Sequence, residues 1–235
     1  MDINLRKHLI IALDLPTAEE ALKTAAELKG SVDYVKIGKQ LFTSSGGSIV
    51  KTLEEDGFKV FLDLKYHDIP NTVASAGVEA AKLGVFMFNI HASGGFEMMK
   101  TTVERVRDYA VKQGIPCPLI IGVTVLTSLG DKDLEEIGFR NNAREQVKIL
   151  ASLAKKAGLD GVVASPLEIK MIKEICGNGF IVVTPGIRAA GSPADDQKRT
   201  MTAGEAIAAG ADFIVVGRPV TGASDKKKAV NDLLG

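Results

Sequence analysis

KVFLDLKYHDIPNTVASAGVEAAKLGVFMFNIH, residues 59–91, reads as a strand, a helix and a second strand in immediate succession. Val60, Phe61 and Leu62 carry an apolar run to about residue 65, residues 71–83 have helical spacing, and Gly84 supplies a left-handed stop before the run 86–91. The same alternation continues in both directions. Strands are expected at 9–14, 33–38, 59–65, 86–91, 118–124, 160–164, 180–184 and 213–217, with helices at 17–29, 46–56, 71–83, 95–112, 142–157, 166–175 and 200–209. Glycines at 30, 57, 84, 158 and 210 follow helical stretches as C-caps. Eight strands alternating with helices, with no linker rich in Pro, Gly or Ser, predict an α/β fold of the (β/α)8 TIM-barrel type, a single domain over residues 1–235. An open doubly wound sheet stays as the alternative, because a strand count does not establish closure. The absence of a GxGxxG or Walker sequence removes its usual nucleotide-binding support.

Composition narrows the function classes. The 235 residues are 46% hydrophobic and 25% charged, with 29 basic and 29 acidic side chains and no formal net charge. Such a balance speaks against a nucleic-acid footprint or an electrostatic membrane anchor, and Lys226–Lys228 reads as a solvated helix end. Cys117 and Cys176 are isolated, with neither CxxC nor metal-ligand spacing, which suggests a reducing, cytoplasmic setting. The apolar run near the N-terminus is too short for a signal peptide and reads as the first strand, and no stretch is long and apolar enough to span a bilayer.

In a barrel the chemistry collects at the C-terminal ends of the strands. Those ends carry Asp14, Lys36, Asp63 with Lys65, His91, Thr124 followed by Thr127 and Ser128, Ser165, Thr184, and Gly217 with Arg218. Strand parity puts Ile10, Ala12 and Asp14 on one face, likewise Tyr34, Lys36 and Gly38, and Phe61, Asp63 and Lys65. Asp63, Lys65 and Asp68 form a DxKxxD array just before Ile69-Pro70, where proline discourages further sheet pairing. An isolated Asp-x-Lys pair is commonly a surface ion pair worth under about 1 kcal/mol; its company on the other strand ends argues for a prepared site. TPGIR (184–188) and VVGRP (215–219) follow strands seven and eight, where barrels often hold phosphate, and Arg218 offers a forked donor for phosphate oxygens. The polar segment RAAGSPADDQKR (188–199) between those strands is expected to be a lid.

Taken together, ALDLP (12–16), YVKIG (34–38), FLDLKYHDIPNT (61–72), VTVLTS (123–128), TPGIR (184–188), Gln197 and VVGRP (215–219) resemble the orotidine 5′-phosphate decarboxylase family, nearly end to end. The resemblance implies a stand-alone, bacterial-type homodimer that converts orotidine 5′-phosphate to uridine 5′-phosphate (UMP), the last step of UMP biosynthesis, without metal or organic cofactor. Residue by residue, it implies that Asp14 and Lys36 bind ribose hydroxyls. Asp63, Lys65 and Asp68 form the charged array at the reacting carbon, with Asp68 contributed across the dimer interface beside Ile69 and Thr72. Thr127 and Ser128 lie near the pyrimidine, Gln197 bridges base and phosphate, Gly217 and Arg218 hold the phosphate, and Arg188 stands at the base of the lid.

Two rivals are weighed. Sugar-phosphate decarboxylases and aldolases similar to 3-keto-gulonate-phosphate decarboxylase share a DxKxxD element but use Mg2+, and carry an acid at the end of strand two, where this chain has Lys36. A decayed, non-catalytic phosphate binder would show gaps in the charged array, and none is visible. His67 and His91 raise the question of a metal, but with no HxH or HxxxH spacing His91 reads as a pocket-lining or supporting residue.

Overall fold

The computed structural model describes residues 5–187 and 201–234. Eight strands, β1 (Leu9–Ala12), β2 (Tyr34–Gly38), β3 (Lys59–Tyr66), β4 (Met87–His91), β5 (Leu119–Val123), β6 (Gly161–Val163), β7 (Ile181–Thr184) and β8 (Phe213–Val216), pair in sequence order. Every pairing is parallel, and β8 returns to β1 through Ile10↔Val215, which closes the barrel and excludes the open sheet.

Alternation along each strand builds two cores. Leu9, Ile11, Val35, Ile37, Val60 and Leu62 face outward and are buried under the helices. Inward, Ile10, Phe61, Met87, Ile121 and Val183 fill the middle of the barrel. Tyr34, Phe86 and Phe213 plug its lower end, with ring centroids 5.0, 5.4 and 5.9 Å apart, and the Lys59 ammonium caps two of those rings at 5.3 and 5.6 Å. With the interior packed by apolar groups to mid-height, polar side chains on inward positions must emerge at the upper rim. Gly161 serves this packing, since a Cβ there would stand 2.2 Å from the Ile181 carbonyl oxygen.

Helices follow most of the expected positions, and glycines 30, 57, 84, 158 and 210 all take positive φ. The helix expected over 46–56 is found at Ser48–Glu55, and a further short helix, Lys39–Ser45, precedes it and ends at Gly46 (φ 64°). Short helices at Asp131–Glu136 and Arg218–Thr221 carry too few apolar turns to announce themselves by periodicity. Both cysteines are free thiols. Among the described residues no helix is long and apolar enough to cross a membrane.

One carboxyl at the lower end is energetically exposed to pH. Glu54 is half-buried beside Gly84, and burial alone raises its pKa from 4.5 to about 7. The folded protein therefore keeps a proton that the unfolded chain has already released, and Glu54 costs stability increasingly as pH rises from 4.5 through about 7. Glu54→Gln should raise Tm at neutral pH by the equivalent of roughly 1 kcal/mol, after allowance for solvent screening, and leave it unchanged in acid. Thermal melts of both proteins across this window decide it; a gain independent of pH would show that titration is not the cause.

Candidate active site

At the C-terminal ends of the strands lies a cavity of about 440 Å³. Its charged wall comes from Asp14 after β1, Lys36 on β2, and Asp63 and Lys65 on β3; its apolar wall includes Val123, Val163 and Val183. The same cavity is lined by Pro185, Gly186 and Ile187 after β7, and by Gly217, Arg218 and Pro219 after β8, the strand that neighbours β1. The two loops expected to hold an anion thus share one cavity with the acid–base array.

The array is a continuous chain of charges. Lys36 Nζ lies 2.8 Å from Asp14 Oδ1 and 3.3 Å from Asp63 Oδ2, and Asp63 Oδ1 lies 2.5 Å from Lys65 Nζ. Lys36 and Asp63 have side chains only 8% and 12% exposed, so neither charge is tolerable alone. Burial pushes the Asp63 carboxyl up, but the Lys36 and Lys65 ammonium groups outweigh it and hold the pKa below its ordinary value. Burial likewise disfavours charge on Lys36, and Asp63 and Asp14 more than restore it, raising its pKa. Lys36 and Asp63 thus keep each other ionised.

Position in the fold explains why these side chains meet. Gly38 stands opposite Asp63 in the β2–β3 register, and a Cβ on it would come within 2.7 Å of Asp14 Oδ1 and 3.1 Å of Lys36 Nζ. Its φ of −91° is open to any residue, so the requirement is space alone. Gly38→Ala should leave Tm nearly unchanged, because Asp14 is exposed and can swing away, yet lower kcat/KM by about tenfold by displacing the Asp14–Lys36 pair. Steady-state kinetics check this; unchanged kcat/KM would show that the pair is not needed where it stands.

Several expected residues join the cavity and others do not. Asp14, Lys36, Asp63, Lys65, Thr127, Gly217 and Arg218 line it. Ser128 is exposed and is not in its wall. Thr124 and Thr184, expected at the rim from strand-end position, do not reach it: Val123 and Val183 hold the inward places, so the next residues point outward. Thr124 donates instead to the Val163 carbonyl at 2.9 Å. Ser165 is fully buried and caps the turn Pro166–Glu168. Asp68, Ile69 and Thr72 are exposed outside the cavity, and the Asp68 carboxylate accepts the Ile69 N–H at 2.6 Å. Arg188, Gln197 and the whole of the expected lid (188–199) lie outside the described residues.

His91 packs its ring 5.2 Å from that of His67, and burial, followed by the charges of His67, Lys39 and Lys65, lowers its pKa to about 4. It is neutral at physiological pH and supports the site rather than lining the cavity. Among the described residues no three His, Cys, Asp or Glu side chains cluster as a metal site. Asn89 was not anticipated, although a lone amide in the apolar run FMFNIH on the inward face with Met87 was a readable signal. It is fully buried and hydrogen-bonds to both Asp63 and Lys65.

Comparison with known proteins agrees with this geometry. The family model described as "Orotidine 5'-phosphate decarboxylase / HUMPS family" matches residues 7–233. A protein of Syntrophotalea carbinolica named orotidine 5′-phosphate decarboxylase is 51% identical over 226 residues, covering 96% of this chain and 92% of its own. One of the same name from Saccharophagus degradans is 50% identical, covering 96% and 93%. The crystal structure of orotidine 5′-phosphate decarboxylase from Lactobacillus acidophilus superposes with a TM-score of 0.86 at 40% identity, over 97% of each chain.

Proposed function

Because the chain belongs to the orotidine 5′-phosphate decarboxylase / HUMPS family, we propose that it is the decarboxylase that converts orotidine 5′-phosphate to UMP, the closing step of pyrimidine nucleotide synthesis. The observation that carries this reading is the Asp14–Lys36–Asp63–Lys65 chain on one wall of the cavity. The family also holds sugar-phosphate enzymes that use a divalent cation. Here the Lys36 ammonium sits between the Asp14 and Asp63 carboxylates, where such a cation would need to bind, and would repel it.

The reaction breaks the bond between C6 of the pyrimidine and its carboxylate. CO2 leaves, and the bonding electron pair stays on C6, in the ring plane where the π-system cannot spread it. Lys65, as ammonium, stabilises that developing carbanion and then gives it a proton, so C6 ends as C–H and the lysine recovers its proton from solvent. Asp63 is held ionised beside the departing group. At about 4 Å and an effective dielectric near 20, two like charges repel by roughly 4 kcal/mol, a cost that disappears as the carboxylate becomes neutral CO2. Preorganised stabilisation by Lys65 is the main contribution, since the cation is already in place before charge develops.

The remaining residues bind and orient. Asp14 and Lys36 hold the ribose hydroxyls, Thr127 and Ser128 approach the base, and Arg218 with the Gly217 amide takes the phosphate. Gln197 bridges base and phosphate, Arg188 stands at the base of the 188–199 segment, and phosphate binding energy from this remote end supports the chemical step. Asp68, with Ile69 and Thr72, completes the neighbouring subunit's array in a homodimer working in the cytoplasm. The decisive experiment follows loss of the orotate absorbance from orotidine 5′-phosphate with EDTA-treated protein. Full turnover is expected; no absorbance change would overturn the reading, and activity only after adding Mg2+ would favour the sugar-phosphate branch.

A further inference from the structure

We propose that Asn89 is a positioning residue for the reaction, one that fixes the Lys65 backbone and aims the Asp63 carboxylate so that the reacting pair is set before substrate enters. This rests on the decarboxylase reading above.

The need for such a device is visible in β3. Its ladder with β4 is regular at Phe61↔Met87 and Leu62↔Phe88 and resumes only at Tyr66↔Ile90. Asp63, Leu64 and Lys65 therefore stand against the single residue Asn89. Within this bulge Lys65 takes a φ of 53°, and it is the one non-glycine residue with positive φ among those described. L side chains resist that conformation, and it persists only where surroundings over-determine it.

Asn89 supplies that determination. Its Oδ1 accepts the Lys65 backbone N–H at 2.8 Å, taking the place of a ladder carbonyl that the register shift has removed. Its Nδ2 donates to Asp63 Oδ1 at 2.7 Å, the same oxygen that Lys65 Nζ reaches at 2.5 Å. The amide's orientation follows from its partners, because a backbone N–H can only donate and an ionised carboxylate can only accept. Asn89 is fully buried, so no water is available to take over either bond. One planar group thus ties the backbone of the proton donor to the carboxylate beside it. No hydrophobic residue could do so, and a hydroxyl is too short to span both.

Two variants separate positioning from mere support of the fold. Asn89→Ala removes both bonds and should lower kcat by about 100-fold, the scale of a small misplacement of reacting groups, with UMP affinity kept within its order of magnitude. The Lys65 amide should lose protection in hydrogen-exchange measurements. Asn89→Asp, nearly isosteric, keeps the acceptor but sets a second carboxylate against Asp63. Its kcat should fall at least as far and recover partly as pH is lowered, when a proton restores the missing donor. A proportional fall of kcat and UMP affinity with no pH shift in Asn89→Asp would mean a structural role only and would overturn the proposal. So would an unchanged kcat in either folded variant, or an Asn89→Ala protein whose Lys65 amide stays protected. Should Asn89→Ala not fold, the pH profile of Asn89→Asp decides alone. A parent protein inactive on orotidine 5′-phosphate sinks the decarboxylase reading, while exchange at Lys65 still decides whether Asn89 holds it.

Discussion

Lys65→Ala should give a folded protein that binds UMP normally and turns over orotidine 5′-phosphate at least about 10⁴-fold more slowly, a loss of about 5 kcal/mol in transition-state stabilisation. The magnitude follows from two functions vested in one atom: Lys65 Nζ is both the cation facing the developing electron pair and the acid that quenches it. The fold should survive for a reason visible in the charge chain. With Lys65 gone, Asp63 keeps the Lys36 ammonium at 3.3 Å and the Asn89 amide at 2.7 Å, so no buried charge is left uncompensated. Lys65→Arg sharpens the test. A guanidinium retains the charge but does not give up a proton, so this variant should be nearly as inactive. Single-turnover assays with UMP titrations measure both parts. Substantial activity in Lys65→Ala would remove Lys65 from the chemistry, and lost UMP binding would show that it acts in the ground state.

The barrel was legible because its signal is repeated. Eight apolar runs and the glycines that end the helices report burial on two faces and chain reversal, both properties that a residue's neighbours in sequence decide. The site was legible where strand parity held, as at Lys36, inward on β2 with Tyr34. Two misses are instructive. Strand-end position alone puts Thr124 and Thr184 at the rim, whereas parity with the inward Val123 and Val183 turns them away. In β3 parity joined Asp63 to Lys65 correctly, but by regular alternation, whereas the chain achieves the contact through a bulge and a left-handed lysine. A bulge depends on what the adjoining strand offers, here Asn89, and that is a relation between residues 24 apart that local reading does not contain. Gly38 was noticed for its face but not for its function, since a requirement for empty space leaves no chemical mark.

The second large effect concerns Asp68 and depends on a partner that a lone chain does not show. Among the described residues Asp68 pairs with no cation, its carboxylate turns back on the Ile69 N–H, and it lies outside the cavity that holds Lys65. Beside it Ile69 is 66% exposed, an apolar side chain presented with an acid at the start of the helix Pro70–Lys82. If two such segments exchange across a twofold axis, each isoleucine is covered and each Asp68 completes the other subunit's array. Asp68→Ala should then lower kcat by about 10³-fold, the cost of removing one preorganised charge. The arrangement makes a prediction that no single-subunit site can match. In a hybrid of Lys65→Ala with Asp68→Ala, one of the two sites draws Lys65 from one chain and Asp68 from the other and is intact. Random re-pairing of equal amounts of the two inactive proteins should therefore restore about one quarter of parental activity. If hybrids identified by native mass spectrometry stay inactive, Asp68 serves its own subunit's site, and the shared array is wrong.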